Sequence, residues 1–215
     1  MADLTTYEGL KATVEDYLGR KDLKERIPTF IRLAEKRMDR DLRLRCQERR
    51  AVCDIDAFAR GIKLPARREP GKWNVFVEMR DLAWVGNDGT ISNLQYLPPD
   101  TYRVRSAVTG TPSFYTIISD DLFLMPVPES DGRLEMAYYA EIPPLSDSQP
   151  DNPVLLTAPD LYLYGSLLES VPFTRESVPA QEWLMAYQEA VAKVTRQEQH
   201  ARFTANLKMR PIRSI

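Results

Sequence analysis

The chain has 215 residues, 43% of them hydrophobic and 28% charged, which supplies a packed core and excludes a wholly disordered chain. A formal charge of −2 gives no net attraction to nucleic acid or anionic lipid, and nine glycines are few for a Gly-rich phosphate-binding enzyme. The opening residues lack the apolar run of a signal peptide, and no stretch approaches the ~20 apolar residues of a membrane span. We therefore expect no membrane association and synthesis in a reducing cytoplasm.

The first 45 residues carry helical spacing. Thr5 and Glu8 stand at capping-box distance, Tyr7, Leu10, Val14 and Tyr17 recur every three or four residues, and Gly19 ends the segment. Asp22 and Glu25 offer a second capping box, and Pro28 fits a first helical turn. Ile27, Phe30, Ile31, Ala34, Met38 and Leu42 then make one apolar stripe, with Arg32, Glu35, Lys36, Arg37, Asp39, Arg40 and Asp41 opposite.

From about residue 50 to 145 the helical spacing gives way to short alternating runs. Phe58 to Leu64, Trp73 to Val77 and Tyr102 to Val108 are candidate strands. Phe114 to Ile118 and Leu122 to Met125 flank Ser119-Asp120-Asp121, a hairpin signal, and Leu134, Met136 and Tyr138 alternate after a turn at Ser130-Asp131-Gly132. These runs predict a three-stranded meander from Phe114 to Ile142.

Helix returns after a Pro/Ser/Asp-rich connector, Pro143 to Pro153. Thr157 and Asp160 have capping spacing, Pro159 suits the first turn, and Leu163, Tyr164, Leu167, Leu168 and Val171 share a face up to Pro172. A last helix is expected from Pro179 to Phe203, striped by Trp183, Leu184, Tyr187, Val191 and Val194. The expected fold is α+β: a discontinuous antiparallel helix bundle built from the N- and C-terminal helices (1–49 and 150–205), a β-rich insertion domain (50–149), and an extended C-terminal tail (206–215) that Pro211 keeps from continuing as helix.

The sequence holds no set of side chains that points to a reaction. Cys46 and Cys53 lack metal-binding spacing and read as reduced thiols; His200 lies in a charged stretch and reads as a surface histidine. No nucleophile elbow, phosphate loop, dinucleotide fingerprint or HExxH is present. Asp120-Asp121 reads as turn chemistry, and Asp147, Asp151 and Asp160 as connector and cap. No catalytic residue, metal or cofactor is expected. Arg37, Arg40, Arg43 and Arg45 interleave with Asp39, Asp41 and Glu48, a mixed-sign pattern that favours an inter-subunit or solvated ion-pair face over phosphate binding. Arg67, Arg68 and Lys72 form a second small cluster beside Trp73.

Four stretches resemble the head-to-tail adaptors of short-tailed bacteriophages: Asp22 to Arg45, the run from Gly110 through TPSFYTIISDDLFLMPVPE, Leu134 to Asp147, and PDLYLYGSLLESVPF from Pro159 to Phe173, followed by Trp183, Tyr187 and a tail near Met209-Arg210. The likeness is weak from about residue 50 to 100. The resemblance implies a non-enzymatic virion subunit of the neck, made in the host cytoplasm. It would form a ring of about twelve copies, bind the portal protein, and carry tail nozzle and tail fibre proteins while DNA passes through the lumen without sequence-specific contact. It also implies that the tail docks on the portal. Leu207, Met209 and Ile212 would be apolar anchors there, with Lys208, Arg210 and Arg213 as charges. The alternatives are another neck or tail-tube component, a nucleic-acid-binding accessory protein using Arg37 to Arg50, and, third, a virion-associated hydrolase.

Overall fold

The computed structural model describes residues 3–69, 72–105, 108–174 and 179–205; the side chains of 67–69, 72, 103–105 and 202–205 lie outside that description. In chain order the elements are helices α1 (Tyr7–Leu18) and α2 (Ile27–Asp41), then strands β1 (Glu48–Ile55), β2 (Gly61–Lys63), β3 (Ala66–Glu69), β4 (Lys72–Gly86), β5 (Ile91–Asn93) and β6 (Gln95–Tyr96). Helix α3 (Pro99–Arg105) and strands β7 (Phe114–Ile118), β8 (Asp121–Met125) and β9 (Gly132–Ala140) follow, and α4 (Pro153–Thr157), α5 (Pro159–Ser170) and α6 (Ala180–Ala205) close the chain. Two compact units result: a helical one, Met1–Cys46 with Ile142–Ile215, and a β-rich one, Gln47–Glu141.

In the helical unit the N- and C-terminal helices pack on each other, as the mixed α+β reading expected. Every residue of the α2 stripe is buried, from Ile27 to Leu42, each large one contributing ~1.5–3 kcal/mol of burial. Helix α5 packs against α1, α2 and α6. Its expected single apolar face is a correction: Leu161, Tyr162, Leu163, Gly165, Ser166 and Leu167 are all buried, because neighbours surround most of its circumference. Gly165 permits the closest approach, since a Cβ there would lie 3.2 Å from the Ala34 methyl on α2.

Several local expectations also need correction. Thr6, not Thr5, caps α1 by accepting the Gly9 N–H, while Thr5 bonds to Asp3. Gly19 ends α1 in the left-handed conformation as expected, but Tyr17 is exposed. Asp22 caps nothing; it pairs with Arg20 at the start of a 3-10 turn, Lys21–Arg26. Asn152 caps the unexpected α4, and Thr157 is that helix's last residue rather than a cap for α5. Leu184 is 40% exposed, and Ala190 fills its place in the α6 stripe.

The β-rich unit holds two sheets among its described residues. One has the order β1-β9-β4-β3 with β5 also on β4; the other runs β2-β8-β7-β6. The β7–β8 hairpin is present: Ile118 faces Asp121 across a two-residue turn, with Ser119 at φ 57°, so Asp121 belongs to the strand. The meander is not. β9 lies between β1 and β4 in the other sheet, because Pro126 and Pro128 lack the N–H groups that would carry the β8 ladder onward. Tyr102 to Val108 is not a strand either; Pro99 and Asp100 open helix α3 there, and residues 106 and 107 lie outside the description. Trp73 to Val77 extends to the fifteen residues of β4, which bends at two register shifts opposite β9. Strand β1 leaves little trace in the sequence because its charged residues, Glu48, Arg49, Arg50 and Asp54, mask its alternation.

Candidate functional site

Charge is densest at the C-terminal end of α2. Arg37 reaches α5, where Nε and Nη2 lie 2.7 and 2.6 Å from one carboxylate oxygen of Glu169. Its guanidinium also lies 5.9 Å from the centre of the Tyr187 ring on α6. Tyr187 donates its hydroxyl to Asp41 at 2.9 Å; burial first, then that carboxylate, holds the phenol above its ordinary range. Arg43 donates from Nη1 to the carbonyls of Asp39 and Leu42 at 2.8 and 2.7 Å, satisfying acceptors that the end of α2 leaves open. Arg45 donates from its backbone N–H and Nε to Glu198 on α6, at 3.1 and 3.0 Å. Arg40 is exposed. Arg37 and Arg45 thus tie this end of α2 to α5 and α6, Arg43 closes the helix's own last carbonyls, and Arg40 faces outward.

Beside the Arg45–Glu198 pair a cavity of about 250 Å³ opens between α4 and α6, lined by Leu44, Val154, Ala158 and Val194 with Cys46 at its side. Thr157 and Gln197 add polar groups beside that ion pair, and the rest of the lining is apolar.

The charged face of α2 is not uniformly solvated, which corrects the sequence expectation. Glu35 and Asp39 are buried, at 2% and 8% exposure. Asp39 Oδ1 accepts the Ile142 N–H at 2.8 Å, and Glu35 Oε1 accepts the Leu145 N–H at 2.7 Å and the Tyr162 hydroxyl at 3.4 Å. Asn152 donates to Tyr162 Oη at 2.6 Å and to the Pro143 carbonyl at 2.7 Å. The acids are therefore backbone acceptors for the connector that the prolines leave without a helix or ladder. Burial pushes Glu35 up to about 7 against the opposing pull of the Leu145 N–H and Arg32. Their i, i+4 spacing beside Ala34 and Met38, at the margin of the apolar stripe, was the available signal.

The remaining candidates take structural positions. Asp121 pairs with Lys63 at 2.8 Å, and the Asp120 carbonyl accepts the Leu64 N–H at 2.8 Å. Asp147 pairs with Lys11 at 3.3 Å, and Asp160 accepts the Leu161 N–H at 3.1 Å. Cys46 and Cys53 are half-buried thiols, and His200 is exposed on α6. Among the described residues no three His, Cys, Asp or Glu side chains converge to hold a metal, and no helix is long and apolar enough to cross a membrane. The side chains of Arg67, Arg68 and Lys72, and the tail positions Leu207, Lys208, Met209, Arg210, Ile212 and Arg213, lie outside the described residues.

No curated protein matches the sequence. A family model does, over residues 5–211, and its description reads SU10 adaptor protein. The match runs through both helical segments and everything between them. It shows that the chain belongs to the SU10 adaptor protein family, a family of phage structural adaptors and not of enzymes.

Proposed function

We propose that this adaptor forms a ring of about twelve copies beneath the portal, joining the capsid to the tail. The ring serves as a platform for tail nozzle and tail fibre proteins, and DNA passes through its lumen without sequence-specific contact. The family match over residues 5–211 carries this reading, because an adaptor must bind other virion components. Its C-terminal tail docks on the portal. Ten extended residues reach up to ~35 Å, enough to pass from one ring to the next. Leu207, Met209 and Ile212 each contribute ~1–2 kcal/mol in apolar pockets, while Lys208, Arg210 and Arg213 set register. Repetition round the ring multiplies weak single contacts.

Arg40 is the best placed of the four arginines for a contact between copies. Nucleic-acid binding through this region has less support, since Arg37 and Arg45 are opposed by Glu169 and Glu198. The test is truncation after Thr204, assayed for binding to portal-bearing heads. The truncated protein should stay folded and lose binding, and virions assembled with it should leak DNA or lack tails. Binding with wild-type affinity would move the docking surface onto the helical unit.

A further inference from the structure

The loop between β1 and β2 presents an aromatic side chain to solvent under unusual restraint. Phe58 is 65% exposed and has φ 63°, a left-handed conformation that a bulky residue rarely adopts. Three hydrogen bonds hold the loop in that shape: the Phe58 N–H to the Pro128 carbonyl at 2.8 Å, the Ala59 N–H to the Asp56 carbonyl at 3.1 Å, and the Ala57 N–H to Asp131 Oδ1 at 2.8 Å. Such a pinned outlier marks a position selected for what it displays, since glycine would serve the backbone better. Asp56 and Arg60 flank Phe58 in the loop, and Glu129 and Asp131 lie on the segment that holds it through Pro128; all four are exposed, so the tip is an apolar anchor among mostly acidic residues. A central aromatic with a polar rim is the usual anatomy of a binding hot spot.

The same chain carries a surface of matching character. Thr29, Arg32, Leu33, Lys36 and Arg40 share the outward face of α2, where Leu33 is 40% exposed. Arg32 and Lys36 lean on Glu35 and Asp39 at 3.5 Å, yet their side chains remain 49% and 40% exposed. The face is thus apolar at its centre and basic around it. Two different patches that complement each other make a heterologous contact, the kind that closes rings.

We propose that Phe58 and its acidic rim on one copy seat on the Leu33–Arg40 face of α2 on the next copy. The contact rests on the ring reading above and supplies its subunit interface. Phe58 packs on Leu33, and Asp56 and Glu129 meet Lys36 and Arg40.

Assembly of the full chain on portal-bearing heads tests the proposal, scored as bound copies per head and by imaging of the neck. Phe58→Gly, which the left-handed backbone accepts, should keep the thermal midpoint and cut assembly at least tenfold; a role in folding alone would not separate the two. Asp56→Lys with Glu129→Lys should cut assembly likewise, as should Lys36→Glu with Arg40→Glu. A chain carrying all four reversals should regain it. If wild type forms rings and every variant assembles equally well, the contact is overturned and the ring stands. If wild type itself binds heads only as scattered single copies, or not at all, both the ring and the contact fall.

Discussion

The buried carboxylate of Glu35 should make the helical unit more stable in mild acid than in mild base. Its environment raises the group from an ordinary 4.5 to about 7, burial outweighing the Leu145 N–H and Arg32 that favour the charge. A folded-state value above the unfolded one means that the native state holds the proton more tightly. The corresponding stability is complete below about pH 4.5 and is lost as pH rises through about 7. A displacement of that size is worth ~3 kcal/mol, a large share of the 5–15 kcal/mol typical of a domain. Urea unfolding followed by helical circular dichroism at pH 5, 6, 7 and 8 measures it, provided that Glu35→Gln is run in parallel. Gln retains an oxygen for the Leu145 N–H and removes the titration, so the difference between the two proteins cancels every other ionisable group. Wild type should lose ~2.5 kcal/mol relative to Glu35→Gln between pH 5 and pH 8. Parallel stability curves would falsify the assignment and place Glu35 in contact with water.

Two substitutions test the packing on either side of the chain's division. Gly132→Ala should destabilise the β-rich unit by ~1–3 kcal/mol, because a Cβ there would run into the buried Trp84 ring; tryptophan fluorescence during thermal unfolding reports it, and an unchanged midpoint would show that the ring yields freely. Arg37→Ala should cost ~1–2 kcal/mol by leaving the mostly buried Glu169 without its partner, whereas exposed Arg40→Ala should stay within ~0.5 kcal/mol, a contrast that urea midpoints resolve.

How far the sequence could be read depended on how local the cause was. The α2 stripe was legible because a 3.6-residue period survives whatever packs on it, and each of its six members is buried. The β7–β8 hairpin was legible for the same reason, since a two-residue turn sets its own register. Partner choice between sheets was not: β9 leaves β8 for β1 and β4, and pairing over that distance along the chain leaves no mark in the alternation of Leu134, Met136 and Tyr138. The spacing of Glu35 and Asp39 at the margin of that stripe hinted at burial, but their partners were hidden, being backbone N–H groups more than a hundred residues away, at Ile142 and Leu145. Phe58 looked like the start of a strand. Its left-handed backbone follows from bonds to Pro128 and Asp131 that no local pattern records.

The same long-range bonds argue that the helical unit can fold without the insertion. The chain leaves it after Cys46, where Arg43 caps α2 and Arg45 is tied to Glu198, and returns at Ile142 under the hold of Asp39. Leu42, Leu44, Ile142 and Leu145 belong to one buried cluster with Met38, Leu163, Leu167 and Tyr187, so both ends of the excursion are anchored in the helical core. Cys46 stands seven residues after Asp39, which holds Ile142, so at most ~25 Å of chain separates the two ends. Eight Gly/Ser residues in place of Gln47–Glu141 can span ~28 Å. The shortened protein should therefore be helical by circular dichroism and melt cooperatively. It should also keep the Glu35 signature, gaining stability as pH falls from 8 to 5, because every group that raises that carboxylate lies within the retained residues. A shallow, non-cooperative melt would show that the β-rich unit is needed to order the ends, and that the two units fold as one.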